Sequence, residues 1–373
     1  MTGVAAKVPS VRLASTLAGL VGVAVVSLVA LTDPRAALQG WLAAAFAFTA
    51  LPLGALGLLL LYILVGGPWG RTLGPSLLAL VRMLPLAAVA FIPVIAAPSL
   101  LYPWAGEAAA ADPEIAAKAA WLNSTFFAVR TVGYFLVWMA MSALVRADCG
   151  ANDRDNDRLG AAIGIIVLAI TVSFAAIDWV MSLGPHFASA AFGLLVAFGD
   201  LLAALAVAVV LLAWLGPEEV RAEAGRPHSR GVLAGLLASG VLLWAYLAFM
   251  QYLVVWSADL PVEAAWYLDR VAGAWVVVPW LLGLLLGVVP LIVLALPWGR
   301  RSLARLAAVA ALILAMRFID AVWMIAPAFP WHSWWQPVAM VAALVGLGGF
   351  SLACILPRLE QPAASAGAEA THG

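Results

Sequence analysis

Ten separate apolar runs, each long enough to cross a bilayer, leave this 373-residue chain little room for any fold but a membrane-embedded one. They lie at roughly 13–31, 41–65, 76–101, 123–145, 159–183, 188–215, 231–256, 271–296, 303–326 and 336–356. About 20 apolar residues in a helix cover ~30 Å of hydrocarbon. The pattern predicts an all-α integral membrane protein of about ten transmembrane helices in a single polytopic domain, followed by a short disordered cytoplasmic tail at 357–373. Lys7 and Arg12 precede the first run as in a signal peptide, but the run is longer than an h-region and lacks a clean small-x-small cleavage site, so it reads as a retained helix.

Only 10% of the residues are charged, against about 25% in an ordinary soluble domain, and the formal net charge is zero. No basic run offers a grip for nucleic acid. Two cysteines, Cys149 and Cys354, are too few for an iron–sulfur cluster. The four histidines, His186, His228, His332 and His372, place none at membrane depth, which argues against a haem held by two histidines. The expectation is therefore no covalent or metal cofactor.

Six charges nevertheless fall inside the apolar runs: Arg82, Arg130 and Arg317 against Asp178, Asp200 and Asp320. Each costs about 2.5–3.5 kcal/mol at a helix centre, so six unpaired charges would cost about 15–21 kcal/mol. They must face protein, water or each other. Intramembrane ionisable groups are candidate functional residues for the same reason.

The loops set orientation. Thirteen Lys and Arg fall on the side shared by both termini and three, Arg35, Lys118 and Arg270, on the other, which predicts cytoplasmic termini. On that orientation Asp178 in the fifth helix and Arg130 in the fourth share an outer level and can meet. Arg317 and Asp320 lie three apart on one face of the ninth helix, and Asp200 sits near the midplane of the sixth.

Helices five and nine echo each other. Ile177-Asp178-Trp179-Val180-Met181 precedes Pro185 and His186, and Ile319-Asp320-Ala321-Val322-Trp323-Met324 precedes Pro327 and His332. Four helices separate the copies, the spacing of a parallel repeat. Helices two to five and six to nine then form two four-helix bundles, with helices one and ten peripheral.

Several segments carry a family resemblance: Asp178-Trp179-Val180-Met181-Ser182-Leu183 with Pro185-His186, Trp244 through Gln251-Tyr252 to Trp256-Ser257, Leu260-Pro261 with Trp266-Tyr267-Leu268, and Arg317-Phe318-Ile319-Asp320 leading to Ala326-Pro327-Ala328-Phe329. These resemble a quinone-binding-type membrane protein of alternative complex III, a bacterial quinol:cytochrome c oxidoreductase, and through it the polysulfide-reductase-type membrane anchors. Two related members of that complex share this fold, and the chain resembles the one that packs beside the quinol-oxidising member. The likeness covers helices four to ten by residues and helices one to three by hydropathy and order. It implies two four-helix bundles flanked by extra helices and a place in the bacterial inner membrane. The implied partners are a quinol-oxidising membrane subunit and iron–sulfur and haem c subunits. It also implies a structural role with a conduit for protons, the quinol-oxidising pocket belonging to the sister subunit. Asp178, Arg317 and Asp320 match the family's polar membrane residues, and His186 and Gln251 lie in matching segments.

Residues and resemblance together nominate Asp178, Asp200, Arg317, Asp320 and Arg130 for a proton pathway. Asp178, His186, Gln251 and Tyr134 are nominated for quinone binding, and no residue is nominated as catalytic or as a metal ligand. Tyr134 enters through the stripe Arg130, Tyr134, Trp138 on one helical face, an aromatic surface that suits either packing or a quinone ring. A close arginine stabilises a charged carboxylate, whereas proton carriage needs a carboxyl that can take a proton, so the pairing and relay roles of Asp178 compete. Two further classes fit the sequence: a secondary transporter, for its ten helices and midplane charges, and a scaffold or assembly subunit without quinone or proton role. A transporter of the broken-helix type calls for Gly/Pro interruptions at matched depths. Pro85, Pro93, Pro279 and Pro290 are not so matched.

Overall fold

The computed structural model describes residues 8–148 and 154–359; Cys149, His372 and the sequence after Leu359 lie outside them. Among the described residues all regular structure is helical, and ten helices are long and apolar enough to cross a membrane. They are α1 (Pro9–Thr32), α2 (Pro34–Val65), α3 (Pro68–Ala96), α4 (Ser124–Val145), α5 (Arg158–Leu183), α6 (Phe192–Leu215), α7 (Pro227–Ala258), α8 (Gly273–Ala295), α9 (Leu303–Ala328) and α10 (Trp335–Pro357).

Several helices start earlier than hydropathy predicts, because polar first turns do not register as apolar. α2 begins at Pro34 rather than 41: Asp33 caps it through a 2.9 Å bond accepted from the Ala36 amide, with Pro34 in the first turn. Helical geometry also continues past the predicted start of the tail at 357, as far as Leu359.

Two helices are not regular. α3 breaks at Arg82 and Met83, one turn before Pro85, whose ring would clash with the carbonyl four residues earlier. Arg82 is thereby exposed on the flank of the bundle rather than buried with the other intramembrane charges. α8 widens into a π-helix over Leu282–Val288, just before Pro290, which likewise cannot take part in an ordinary helical ladder.

Packing follows the order anticipated from the echo. α2, α3, α4 and α5 contact one another, as do α6, α7, α8 and α9, while α1 and α10 pack together against α2. The two bundles meet along α2 and α6. Gly54 sets that approach, since a Cβ there would collide with the backbone of Asp200. The core between them is dominated by leucine, alanine and aromatic side chains.

Candidate functional site

Each bundle encloses one aspartate–arginine pair, and the two pairs are built differently. In the first, Asp178 of α5 is 0% exposed. Arg130 of α4 clamps it with two bonds, Nε to Oδ2 at 2.8 Å and Nη2 to Oδ1 at 2.9 Å. The Tyr134 hydroxyl donates to Oδ2 at 2.8 Å and the Trp121 indole to Oδ1 at 3.0 Å. Four donors thus fill the roughly four acceptor sites of a carboxylate. The guanidinium is equally occupied: Nη1 donates to the Trp121 carbonyl at 2.9 Å, and Trp121 and Phe126 lie against it at 4.1 and 4.2 Å. Arg130 and Tyr134 reach one carboxylate because a spacing of four stacks them on one helix face.

The second pair is incomplete. Arg317 and Asp320, three apart on α9, form a buried ion pair through Nη1 and Oδ2, and Trp244 of α7 donates to the same oxygen at 3.2 Å. Oδ1 of Asp320 receives no donor among the described residues. Arg317 lies across α6, where Gly199 makes room: a Cβ there would collide with the guanidinium. That places Arg317 beside Asp200, whose Oδ1 is buried without a hydrogen bond among the described residues, as is Arg317 Nε. Asp200 thus lies within electrostatic reach of the Arg317 guanidinium but forms no ion pair with it among the described residues.

Asp320 lines a cavity of about 500 Å³ walled by α7, α8, α9 and the short helix Pro261–Val271. Its walls are aromatic, with Trp244, Phe249, Tyr252, Trp266, Tyr267 and Trp323 among them. Phe249, Tyr252 and Leu268 at the rim are exposed on the outer flank of the second bundle. The π-helical stretch of α8 contributes Leu282, Gly283 and Gly287, so the wider turn and missing side chains open one wall. Two buried donors in the lining are idle. Among the described residues Trp266 Nε1 has no partner, and Gln251 Nε2 lies near the Tyr267 hydroxyl without a well-formed hydrogen bond, its Oε1 accepting only a long 3.5 Å bond from Ser189. Such groups cost about 1–3 kcal/mol each while unpaired. Burial pushes the Tyr267 phenol up to about 12, so it keeps its proton at neutral pH.

Pro261–Val271 carries Trp266 and Tyr267 and is pinned by Arg270, itself 2% exposed. Its guanidinium donates to the Trp266 carbonyl at 3.0 Å and to the Met324 carbonyl near the end of α9 at 2.5 Å, and lies 3.6 Å over the Trp266 ring. Burial lowers it to about 9, still cationic at neutral pH. Trp323 returns a 3.0 Å bond to the Arg270 carbonyl.

The sequence candidates therefore do not converge on one site. Asp178, Arg130 and Tyr134 form a saturated cluster in the first bundle, while Asp320, Arg317, Asp200 and Gln251 gather in the second. His186 sits apart at the end remote from the termini, half-exposed between Glu114 at 2.9 Å and Asp112 at 3.1 Å. His332 is likewise external, 3.2 Å from Asp33. Arg270, Trp266 and Tyr267 were not singled out as a site by sequence. The available signal was the amphipathic pattern of 261–271, with one arginine among aromatic residues. No protein-family model matches the chain, and no curated protein matches it.

Proposed function

We propose that the chain is a membrane subunit of a respiratory quinol:cytochrome c oxidoreductase of the alternative complex III type, lying in the bacterial cytoplasmic membrane with both termini inside. It packs beside the quinol-oxidising subunit, and iron–sulfur and haem c subunits complete the assembly. Its own contribution is to hold a quinone headgroup in the α7–α9 cavity and to exchange a proton with it at Asp320.

The observation that carries this reading is the open Asp320 site: a carboxyl with one undonated oxygen, backed by Arg317 and Asp200, facing an aromatic cavity with idle donors. A quinone ring is flat and apolar and presents carbonyl oxygens that accept hydrogen bonds, which suits Trp266 Nε1 and Gln251 Nε2. The exposed rim between α7 and α8 lets an apolar tail remain in lipid. Asp200 and Arg317, one helix deeper, give a proton somewhere to go.

The test is purification of the tagged chain from native membranes. Haem c and iron–sulfur subunits should co-purify with quinol:cytochrome c activity. A preparation that lacks both, and that drives solute uptake after reconstitution, would replace this reading with a transporter.

A further inference from the structure

At the end of the bundle that carries the termini, α6 and α9 part around an open groove of about 580 Å³. Ala304, Ala307, Ala308 and Ala311 form its apolar floor, three and four residues apart on one face of α9. From Leu303 to Ala311 the groove runs for about 12 Å at 1.5 Å per residue. The short helix Glu218–Ala224 lies at its mouth and brings Glu218 and Arg221, one turn apart, into the lining. Neither side chain is engaged within the described residues. Arg221 Nε is buried without a partner, and the neighbouring ion pair joins Arg226 to Glu223 instead, at 2.7 Å. Trp214, 76% exposed at the end of α6, marks the interfacial level at which lipid headgroups lie.

The geometry points to a site for one zwitterionic aminophospholipid, phosphatidylethanolamine, its acyl chain along the alanines, its phosphate on Arg221 and its ammonium on Glu218. The alanines leave room that larger side chains would fill. The two opposite charges at the mouth match a headgroup that carries both signs. A purely anionic headgroup satisfies Arg221 but faces Glu218 with a like charge, and a choline headgroup has no N–H to donate to the carboxylate. The site is independent of the α7–α9 cavity, which lies in the other half of the second bundle's length.

Native mass spectrometry of the full chain, released from micelles containing equal phosphatidylethanolamine, phosphatidylcholine and phosphatidylglycerol, tests it. One phosphatidylethanolamine should be retained, with the other two lipids lower by about tenfold. Arg221→Gln should reduce that retention about tenfold, and Glu218→Gln should erase the preference over phosphatidylcholine. Ala308→Phe should fill the groove and abolish retention of all three. The two charge variants lie on an exposed helix, so they remain decisive if the groove-filling variant folds poorly. Equal retention of the three lipids, no retention, or a preference that survives Glu218→Gln would overturn the assignment. So would a cross-link from Ala308→Cys to a partner subunit's helix in the native complex.

Discussion

Asp178 and Asp320 occupy matching places on α5 and α9, yet the first is closed and the second open. Asp178 accepts four side-chain hydrogen bonds and is wholly buried. Asp320 accepts two, both on Oδ2, and lines a cavity of about 500 Å³. The arginine explains much of the contrast. Arg130 comes from a neighbouring helix and meets its carboxylate fork to fork, locking α4 to α5. Arg317 shares a helix with Asp320 and offers one nitrogen, while its Nε is left without a hydrogen bond among the described residues. Two bundles with one local sequence echo thus use it differently: a saturated strut in the first, a partly bonded carboxyl lining a cavity in the second.

Removing the arginines should break that comparison most forcefully. Arg130→Leu leaves Asp178 buried without its counter-charge, at a cost of about 3–5 kcal/mol, and the folded yield on size-exclusion chromatography should collapse. Adding Asp178→Asn should recover much of it. Arg317→Leu should cost less, because Asp320 keeps its Trp244 hydrogen bond and lines a cavity rather than a packed core. Neutralising Asp320 or Asp200 should then restore the yield, and rescue by neither would mean that pairing is not why the arginine is there.

Within the second bundle, Gln251→Leu and Trp266→Phe should each weaken binding of a quinone headgroup analogue about tenfold, the worth of one hydrogen bond of ~1.4 kcal/mol, without lowering the thermal stability of the ligand-free protein. Tyr134→Phe in the first bundle should do the reverse, lowering stability by about 1 kcal/mol and leaving affinity untouched. Titration of the analogue against each purified variant, beside its melting curve, separates the two.

The smallest effect concerns the end remote from the termini. The Glu114 carboxyl is held below its ordinary value of 4.5 by Lys118 first and by His186 next, burial opposing slightly. A lowered carboxyl contributes stability that is present above that ordinary value and lost as pH falls through the lowered one. Melting curves of the wild type and Glu114→Gln should therefore differ slightly at neutral pH and converge below pH 4.5.

Hydropathy and charge made much of the fold legible. The ten spans, the order of the two bundles and the meeting of Arg130 with Asp178 at one level all follow from run length, loop charge and helical spacing. What remained hidden is instructive. Gly199 is an ordinary small residue in an apolar run until Arg317 is seen lying over it. The π-helix of α8 depends on how Pro290 is accommodated against neighbouring helices, which no period in the sequence reports. Arg270 counts as a loop cation by position, whereas tertiary packing buries it beneath the cavity wall. The family resemblance and the stripe on the fourth helix also group Asp178, His186, Gln251 and Tyr134, and only three-dimensional placement separates them into a strut, an external loop and a cavity wall.

The most direct measurement compares Asp178→Asn with Asp320→Asn in the same purified complex, scoring subunit stoichiometry and quinol:cytochrome c turnover together. Asp178→Asn disturbs a saturated ion pair, so it should assemble poorly, while whatever assembles turns over normally. Asp320→Asn keeps the shape and the Trp244 hydrogen bond but cannot take up a proton, so it should assemble better than Asp178→Asn and turn over slowly. The opposite pattern, a well-assembled but inactive Asp178→Asn beside an Asp320→Asn of normal turnover, would contradict the division of roles between the two bundles.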